Sequence, residues 1–487
     1  MINETPRVRF APSPTGYLHV GGLRTALYNY LFAKHNNGTF ILRIEDTDRN
    51  RFVEGALENL LDTMEWVGLV PDEGPRQGGI SGPYIQSERL DIYKKYADEL
   101  IESGKAYYCF CSSERLEELR DTQLKAKVAQ VKYDKHCLNL SKQEISDRLK
   151  NGESHVIRLN VEPGSKVKIK DIVRGNVEFD RSTIDDQVLI KSDGYPTYHM
   201  ANVVDDHLMK ITHVIRGEEW LPSTPKHVLL YEFLNWEIPE FAHLPLLLNA
   251  DKSKLSKRQG DVAVEDYREK GYLKSSLLNF VAMLGWSAGD DKEFYTLKEL
   301  IENFSLERVQ KSGAVFNIDK LNWLNAEHIK NQTNEELLPF LKKELEKSEF
   351  RDKTFSDEYL LKVAGAMKSR LNFYGDFIER SSYFFEEPKT YSQDIVDKRW
   401  KPETPEHLNK LISEFEKLEN PVHDQYEISL KKVAEELNIG GGKLIHPVRL
   451  AVSGIGVGPG LYEILEILGK EEVIKRIKTA IDKIKLD

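Results

Sequence analysis

The stretch from Arg9 to Gly22 reads RFAPSPTGYLHVGG and divides into a strand, a turn and the start of a helix. Val8 and Phe10 alternate with arginines, which is typical of a strand, and the prolines and the glycine that follow break regular structure. After Gly22, apolar residues recur at helical spacing over residues 23–31. A helix N-terminus attracts anions through its unpaired N–H groups and its dipole. The stretch therefore predicts a phosphate-binding turn.

Three residues of this turn can contact a ligand directly. Gly21 and Gly22 have no Cβ, so a ligand can approach the backbone closely, and His19 adds an imidazole N–H beside them. Glycines and prolines alone fit an ordinary strand-to-helix connection equally well. The rest of the chain must therefore decide between a phosphate-binding turn and an ordinary connection.

Length and composition limit the class of protein. With 487 residues, 40% apolar and 30% charged, the chain is expected to be globular with roughly three to five domains. It has no apolar run of membrane-spanning length and residues 1–9 lack a signal core, so we expect a cytoplasmic protein with no membrane partner. Three cysteines cannot form a disulfide framework. The net charge of −10 argues against general affinity for polyanions but allows a local basic face.

A second α/β signal follows the first helix. Residues 40–44 form an apolar run suited to a buried parallel strand, which ends at Glu45. In doubly wound sheets ligands gather at the carboxyl ends of the strands, so we expect Glu45 near Arg9 and His19. Helical spacing resumes afterwards, which favours a βαβ unit. The pattern changes around residue 107, and we interpret residues 107–191 as an inserted domain.

Two motifs together resemble those of one enzyme family. The sequence HVGG at residues 19–22 is similar to the nucleotide-binding element of class I aminoacyl-tRNA synthetases, and PSPTG at 12–16 narrows the resemblance to the glutamyl and glutaminyl branch. The cationic loop KLSKR at 254–258 resembles the Lys-Met-Ser-Lys-Ser loop of the class, with Leu for Met and Arg for the last Ser, as occurs in the glutamyl branch. A solvated charge run explains the loop alone, but two motifs in this order point to a synthetase.

The resemblance implies a fold and a domain order. An α/β Rossmann-type catalytic domain is expected to contain an inserted α+β acceptor-binding domain and to precede an all-α anticodon-binding region. The expected limits are 1–106 and 192–238 for the catalytic halves, 107–191 for the insertion, 239–326 for a stem-contact region with the lysine-rich loop, and 327–487 for the helical region in two sub-bundles.

The resemblance also implies an activity and its residues. Glutamate would be activated by ATP with Mg²⁺ and transferred to tRNA(Glu), by a protein expected to be a monomer. The implied catalytic residues are His19, Lys254 and Lys257. The implied ATP-binding residues are Thr15, His19, Gly21, Gly22 and Lys257. The implied glutamate-binding residues are Arg9, Ala11, Ser13, Glu45, Tyr198, Asn202 and Arg216.

The residues themselves support a carboxylate substrate. A buried carboxylate needs a guanidinium partner, because an unpaired buried charge costs several kcal/mol, and Arg9 and Arg216 are suitable candidates. In the family, Arg216 would bind the side-chain carboxylate and Glu45 the ammonium group. Tyr198 and Asn202 also have a structural alternative, as helix packing and capping residues.

Alternatives of other classes stay open at this point. A glutaminyl enzyme shares the catalytic domain, but such enzymes carry β-barrels where this sequence is helical after residue 323. An inactive tRNA-binding paralogue would usually lack His19 or the lysines, and the shorter glutamyl-queuosine enzyme lacks the helical half. The resemblance does not decide whether tRNA(Gln) is charged as well. Arg370 aligns with the arginine that reads the last anticodon base, with a surface salt bridge as its alternative.

The cysteines of the predicted insertion suggest a zinc site. Cys109, Cys111 and Cys137 are similar to the zinc ligands in the insertion of some glutamyl enzymes, and three thiolates nearly complete a tetrahedral set. Relatives often place His two residues after the last Cys, where this chain has Asn139, so Tyr133 or His136 could be the fourth ligand. Three free thiols are the alternative.

Overall fold

The computed structural model describes residues 5–48, 51, 53–128, 130–255 and 263–485. The chain forms two compact units, residues 1–270 with 274–318 and residues 271–273 with 319–487. The predicted five-part division is finer than these two units and stays a prediction. Among the described residues, no helix combines the length and the apolar character that a membrane span requires.

The first unit is an α/β structure. Its strands are β1 (Arg7–Phe10), β2 (Thr39–Leu42), β3 (Ala106–Cys109), β4 (Val156–Leu159), β5 (Val167–Asp171), β6 (Gly175–Phe179), β7 (Val188–Ile190), β8 (His213–Gly217), β9 (Glu240–Leu244), β10 (Leu247–Leu248) and β11 (Ala314–Val315). Its helices are α1 (Val20–His35), α2 (Ala56–Val67), α3 (Leu90–Glu102), α4 (Ser113–Lys125), α5 (Lys142–Lys150), α6 (Tyr198–Leu208), α7 (Thr224–Phe233), α8 (Val264–Glu269), α9 (Lys274–Ala282) and α10 (Leu297–Asn303).

Parallel strand pairs bring the predicted site residues to common edges. β1 pairs in parallel with β2, with Arg9 opposite Ile41, and β8 pairs in parallel with β9, with Arg216 opposite His243. The backbone N–H of Thr212, just before β8, donates to a carbonyl oxygen of β1. Because parallel strands end at the same edge, the residues that follow β1 and β2 come together.

The predicted insertion contains two separate β structures. Strands β3, β4 and β7 form an antiparallel sheet of their own. The hairpin of β5 and β6, in contrast, joins the sheet of β8 and β9 in the order β6-β5-β9-β8, through a parallel bridge between Asp171 and Phe241. β5 alternates buried and exposed residues, as expected for a strand with one covered face. One hairpin between residues 107 and 191 therefore belongs to the sheet that carries Arg216.

The second unit is helical, as the sequence predicts. Its described residues contain no strand and form α11 (Ile318–Lys330), α12 (Asn334–Glu346), α13 (Asp357–Met367), α14 (Asp376–Ser381), α15 (Gln393–Arg399), α16 (Thr404–Phe415), α17 (His423–Glu436), α18 (Gly442–Ser453), α19 (Leu461–Leu468) and α20 (Lys470–Lys483). Helix α12 begins with a capping box in which Thr333 and Glu336 each bond to the other's backbone N–H. A single apolar core joins most of these helices.

Candidate functional site

A cleft of about 780 Å³ in the first unit collects most of the predicted site residues. The predicted residues that line it are Arg9, Ala11, Ser13, His19, Gly21, Gly22, Glu45, Tyr198, Asn202, Arg216 and Lys254. Thr15 lies in the turn before α1 and does not line the cleft. Lys257 lies outside the described residues. The cysteines and Arg370 are located elsewhere.

His19 is the N-cap of α1, at the phosphate-binding turn that the sequence predicts. Its Nδ1 accepts a hydrogen bond of 3.0 Å from the backbone N–H of Gly22. In the neutral imidazole the proton is therefore on Nε2, which makes this atom a hydrogen-bond donor. A Cβ on Gly21 would stand 3.1 Å from two atoms of this ring, and one on Gly22 would stand 2.8 Å from Leu18 Cδ1. The absence of a Cβ at Gly21 thus leaves room for the His19 ring, and its absence at Gly22 leaves room for the Leu18 side chain.

Lys254 reaches the other side of the same cleft from a tight loop. The backbone N–H of Asn249 donates to the Ser253 carbonyl, and Leu255 N–H donates to the Leu247 carbonyl. Lys254 also forms a β-bridge to Leu248. The first half of the predicted KLSKR loop is therefore anchored to β10 at the edge of the cleft.

Arg9 is part of a buried charge network that the sequence does not predict. Its Nε and Nη2 donate to the two carboxylate oxygens of Asp206, at 2.9 and 3.2 Å. Arg43 Nη1 donates to the same carboxylate at 2.7 Å. Asp206 lies on α6 four residues after Asn202, so the two side chains lie on the same face of the helix. The many polar residues of α6 are the feature of the sequence that could have indicated this network.

Glu45 presents one carboxylate oxygen to the cleft. Arg43 Nη2 and Asn202 Nδ2 both donate to its Oε1, at 3.1 and 3.2 Å, and no described residue bonds to Oε2. The Oδ1 atom of Asn202 is buried without a hydrogen-bond partner among the described residues. Burial raises the pKa of Glu45, against the opposing effect of Arg43 and Arg9. Each of these two oxygens can accept a hydrogen bond from a cationic ligand such as an ammonium group.

Arg216 is a buried cation with only neutral partners. Its hydrogen-bond acceptors are Tyr198 Oη at 3.1 Å, His227 Nδ1 at 3.2 Å, Thr224 Oγ1 at 3.0 Å and His243 Nε2 at 3.1 Å. Among the described residues, no carboxylate forms an ion pair with it. Arg216 is 5% exposed, and burying an unpaired charge is unfavourable. The arrangement is therefore suited to an anionic ligand.

The three cysteines and Tyr133 come together in a separate cluster. The Sγ atoms lie within 4.8 Å of one another, with 3.6 Å between Cys111 and Cys137. Tyr133 Oη is 3.3 Å from Cys109 Sγ and 3.2 Å from Cys111 Sγ. No disulfide joins them. The cluster thus brings together four atoms that could act as metal ligands, the three Sγ atoms and Tyr133 Oη.

Arg370 lies on the surface of the second unit. Its Nη1 donates to Ser369 Oγ at 3.0 Å and its Nη2 to the Gly458 carbonyl at 2.9 Å. No described carboxylate pairs with it, in contrast to the salt bridge that the sequence left open.

Comparison with known proteins identifies the family. Residues 6–323 match the family described as tRNA synthetases class I (E and Q), catalytic domain, and residues 332–481 match an anticodon binding domain. The glutamate–tRNA ligase of Chloroherpeton thalassium is 55% identical over 99% of this chain and 99% of its own, and that of Chlorobium luteolum is 52% identical over 99% and 98%.

Solved structures agree with this assignment. A glutamate tRNA ligase from Elizabethkingia meningosepticum, in complex with its amino acid, is 42% identical, covers 99% of this chain and 100% of its own, and superposes with a TM-score of 0.91. The glutamate–tRNA synthetase of Elizabethkingia anophelis is 41% identical over the same shares, with a TM-score of 0.87. The chain therefore belongs to the glutamate–tRNA ligases, a family of class I aminoacyl-tRNA synthetases with a helical anticodon-binding domain.

Proposed function

We propose that the cleft activates L-glutamate with ATP and then transfers the glutamyl group to the 3′-terminal adenosine of tRNA(Glu). One observation carries the proposal. Arg216, a buried cation with neutral partners, and Glu45, a buried carboxylate with an unbonded oxygen, line the same cleft. An amino acid with an anionic side chain and an ammonium group satisfies both. Arg9, Ala11, Ser13, Tyr198 and Asn202 complete the proposed glutamate site.

The reaction needs positioning and charge stabilisation but no covalent nucleophile on the protein. The glutamate α-carboxylate attacks the α-phosphorus of ATP, and pyrophosphate leaves. The terminal adenosine hydroxyl of the tRNA then attacks the carbonyl carbon, and AMP leaves. His19 Nε2–H and the N-terminus of α1 would stabilise phosphate oxygens, and Lys254 would hold the departing pyrophosphate as a point charge. The roles of Lys257 and Thr15 rest on the motifs alone.

Mg²⁺ is assigned to the ATP complex. This ion is held mainly by phosphate oxygens and water, with one or two protein carboxylates. Asp48 and Glu219 line the cleft and are suited to that part. When bound, the ion neutralises phosphate charge.

Replacing Arg216 by Gln tests the glutamate site. The variant loses the charge but keeps a polar group of similar length, so we expect the KM for glutamate in tRNA-dependent pyrophosphate exchange to rise about 100-fold, with little change in the KM for ATP. Arg76→Gln is the control, because Arg76 does not line the cleft and its side chain, 36% exposed, pairs only with surface carboxylates of α2 among the described residues. A normal KM for glutamate in the Arg216 variant would contradict the proposed function.

Zn²⁺ fits the cysteine cluster. Zinc–sulfur bonds of about 2.3 Å in a tetrahedron place sulfur atoms about 3.8 Å apart, close to the 3.6 Å between Cys111 and Cys137. Tyr133 Oη is in hydrogen-bond range of two of the thiols and is the proposed fourth ligand. Metal analysis of protein purified without chelator should give about one zinc per chain. A stoichiometry near zero would leave three free thiols.

The remaining parts of the proposal concern tRNA and the state of the protein. Residues 107–191 are proposed to bind the acceptor end and residues 239–326 the stem, and Arg370 is proposed to contact the anticodon. Its exposed position without a carboxylate partner supports contact with nucleic acid. We further propose a cytoplasmic monomer, as the resemblance of the sequence to its family implies. Sedimentation at several protein concentrations tests the monomer.

A further inference from the structure

Asp171 lies behind Arg216, at the end of the hairpin strand β5. Its carboxylate is inaccessible to solvent, and its Oδ1 accepts backbone N–H groups from Val173 at 3.0 Å, Arg174 at 2.7 Å and His243 at 3.3 Å. Its Oδ2 stands 2.5 Å from the His243 side-chain Nδ1. Burial alone would raise the pKa of Asp171, but the bonds from His243 and from the Arg174 backbone lower it, so the group is an anion at neutral pH.

The hydrogen bonds on the two sides of His243 fix its protonation state. Arg216 Nε is only a donor, so the His243 Nε2 atom that it contacts at 3.1 Å carries a lone pair. The proton of the ring must then lie on Nδ1, where Asp171 accepts it. Burial lowers the pKa of His243, which agrees with a neutral ring. Asp171 therefore selects the only tautomer that can accept from Arg216.

The contact with His243 controls the orientation of the guanidinium. Nε is the atom at which the planar group joins its side chain, so an acceptor at this point restricts rotation of the whole fork. His243 is fully buried, as is Thr224, which accepts from Nη2. Among the described residues, neutral acceptors occupy four of the five N–H groups of Arg216, and one Nη2 hydrogen has no acceptor.

We infer that Asp171 and His243 are positioning residues that hold Arg216 in the orientation required to bind the side-chain carboxylate of glutamate. This inference rests on the proposed function of Arg216 and extends it to two residues that do not line the cleft. Asp171 also supplies a fixed negative charge one imidazole away from the cation. It does so without forming an ion pair that would compete with the substrate.

The variant Asp171→Asn tests whether Asp171 and His243 position Arg216, and it keeps the shape of the side chain. Its single oxygen is needed by the three backbone N–H groups, so its amide group faces His243 Nδ1. Two donors then meet, and His243 must move its proton to Nε2, where it opposes Arg216 Nε–H. We expect the KM for glutamate to rise about tenfold or more, with the KM for ATP unchanged. The preference for glutamate over glutamine as substrate should fall in parallel.

Two variants of His243 separate positioning from packing. His243→Phe keeps a ring but offers no acceptor, whereas His243→Gln can place its amide oxygen near the position of Nε2. We expect a large rise in the KM for glutamate with Phe and a smaller one with Gln. In the background of Arg216→Gln, Asp171→Asn should add no further change, because the group it positions is absent.

The results that would contradict the positioning role of Asp171 and His243 differ from those that would contradict the proposed glutamate site. The inference fails if Arg216→Gln raises the KM for glutamate while Asp171→Asn does not, or if Asp171→Asn raises the KM for ATP as much as that for glutamate. It also fails if the Gln and Phe variants of His243 behave alike. If Arg216→Gln itself has no effect, the proposed glutamate site is wrong. Thermal unfolding of each full-length variant shows whether it is folded.

Discussion

Arg9 donates two hydrogen bonds to the carboxylate of Asp206, and both side chains are almost completely buried. The charge of Arg9 is thus already compensated within the protein. Arg216 has no such partner among the described residues, so the two arginines predicted to bind glutamate are not equivalent. The net attraction for a second carboxylate is expected at Arg216, whereas Arg9 offers hydrogen bonds from its remaining N–H groups.

Asp206→Asn should destabilise the first unit. The change removes the anion between Arg9 and Arg43, and removing one partner of a buried ion pair costs about 3–5 kcal/mol. Chemical denaturation of the full chain measures this loss. Glu178→Gln is the matched control, because the lysines that pair with Glu178 are more than half exposed and such pairs contribute less than about 1 kcal/mol. Equal effects of the two substitutions would contradict the assigned role.

The same pair has a pH dependence of known sign. Burial would raise the pKa of Asp206, but Arg9 and Arg43 hold it below its ordinary value. A lowered pKa in the folded state means that the stabilisation is present at neutral pH and is lost as the pH falls through that value. The destabilisation caused by Asp206→Asn should therefore shrink in acid.

Local sequence patterns were sufficient to predict the strand, the turn and the helix start around His19. The strand at β1, the break and the helix start at Val20 follow from periodicity and from prolines and glycines, and His19 takes the N-cap position. The end of the buried strand β2 shortly before Glu45 predicts that this residue lies near the cleft, and Glu45 does line it. Each of these features depends on residues that are close in sequence.

Long-range partners could not be read from the sequence. Asp171 and His243 meet only because β5 pairs with β9, and one residue of register would turn either side chain to the other face. Asp206 is separated from Arg9 by 197 residues. The sequence marks these groups as polar residues on strands or helices but carries no signal of which partner they meet.

Gly21→Ala should weaken ATP binding without unfolding α1. The new Cβ would stand 3.1 Å from Cε1 and Nδ1 of His19, so the ring must move by a few tenths of an ångström. Alanine is the better helix former, so stability should not fall. We expect the KM for ATP to rise roughly tenfold, with that for glutamate nearly unchanged. Gly440→Ala, where the added Cβ meets no atom within 4 Å, is the control.

Glutamate binding should weaken in acid because of Glu45. Burial raises the pKa of this carboxyl, and only its ionised form attracts the substrate ammonium group. As the pH falls through the raised pKa, Glu45 becomes protonated and the KM for glutamate should rise. Glu45→Gln should raise the KM at every pH and remove this dependence. An unchanged acid limb in that variant would show that another group is responsible.

The raised pKa of Glu45 also affects the stability of the protein, in the direction opposite to its effect on glutamate binding. A carboxyl with a raised pKa in the folded state holds its proton more tightly there than in the unfolded chain. The contribution of Glu45 to stability therefore decreases as the pH rises from its ordinary value through the raised one. Glu45→Gln should consequently increase stability at neutral pH, while it impairs activity.

Arg370→Gln should affect tRNA recognition alone. The arginine is exposed and is held by Ser369 and by the Gly458 carbonyl, so its loss should leave the fold intact. A direct contact with a base edge contributes about 1–3 kcal/mol, which predicts a fall of roughly tenfold to 100-fold in kcat/KM for tRNA(Glu). The KM values for glutamate and ATP should not change.

The control for this prediction is another exposed arginine of the second unit. The side chain of Arg351 is 71% exposed, and its Nε lies 3.7 Å from Asp352 Oδ2, which makes a weak surface ion pair. The variant Arg351→Gln should therefore behave as the unmodified protein. Charging assays should compare purified tRNA(Glu) and tRNA(Gln) with both variants. If Arg370 reads an anticodon base, its substitution changes the ratio of the two rates, whereas loss of a phosphate contact lowers both equally. Equal charging by the Arg370 and Arg351 variants would exclude any contact of Arg370 with the tRNA.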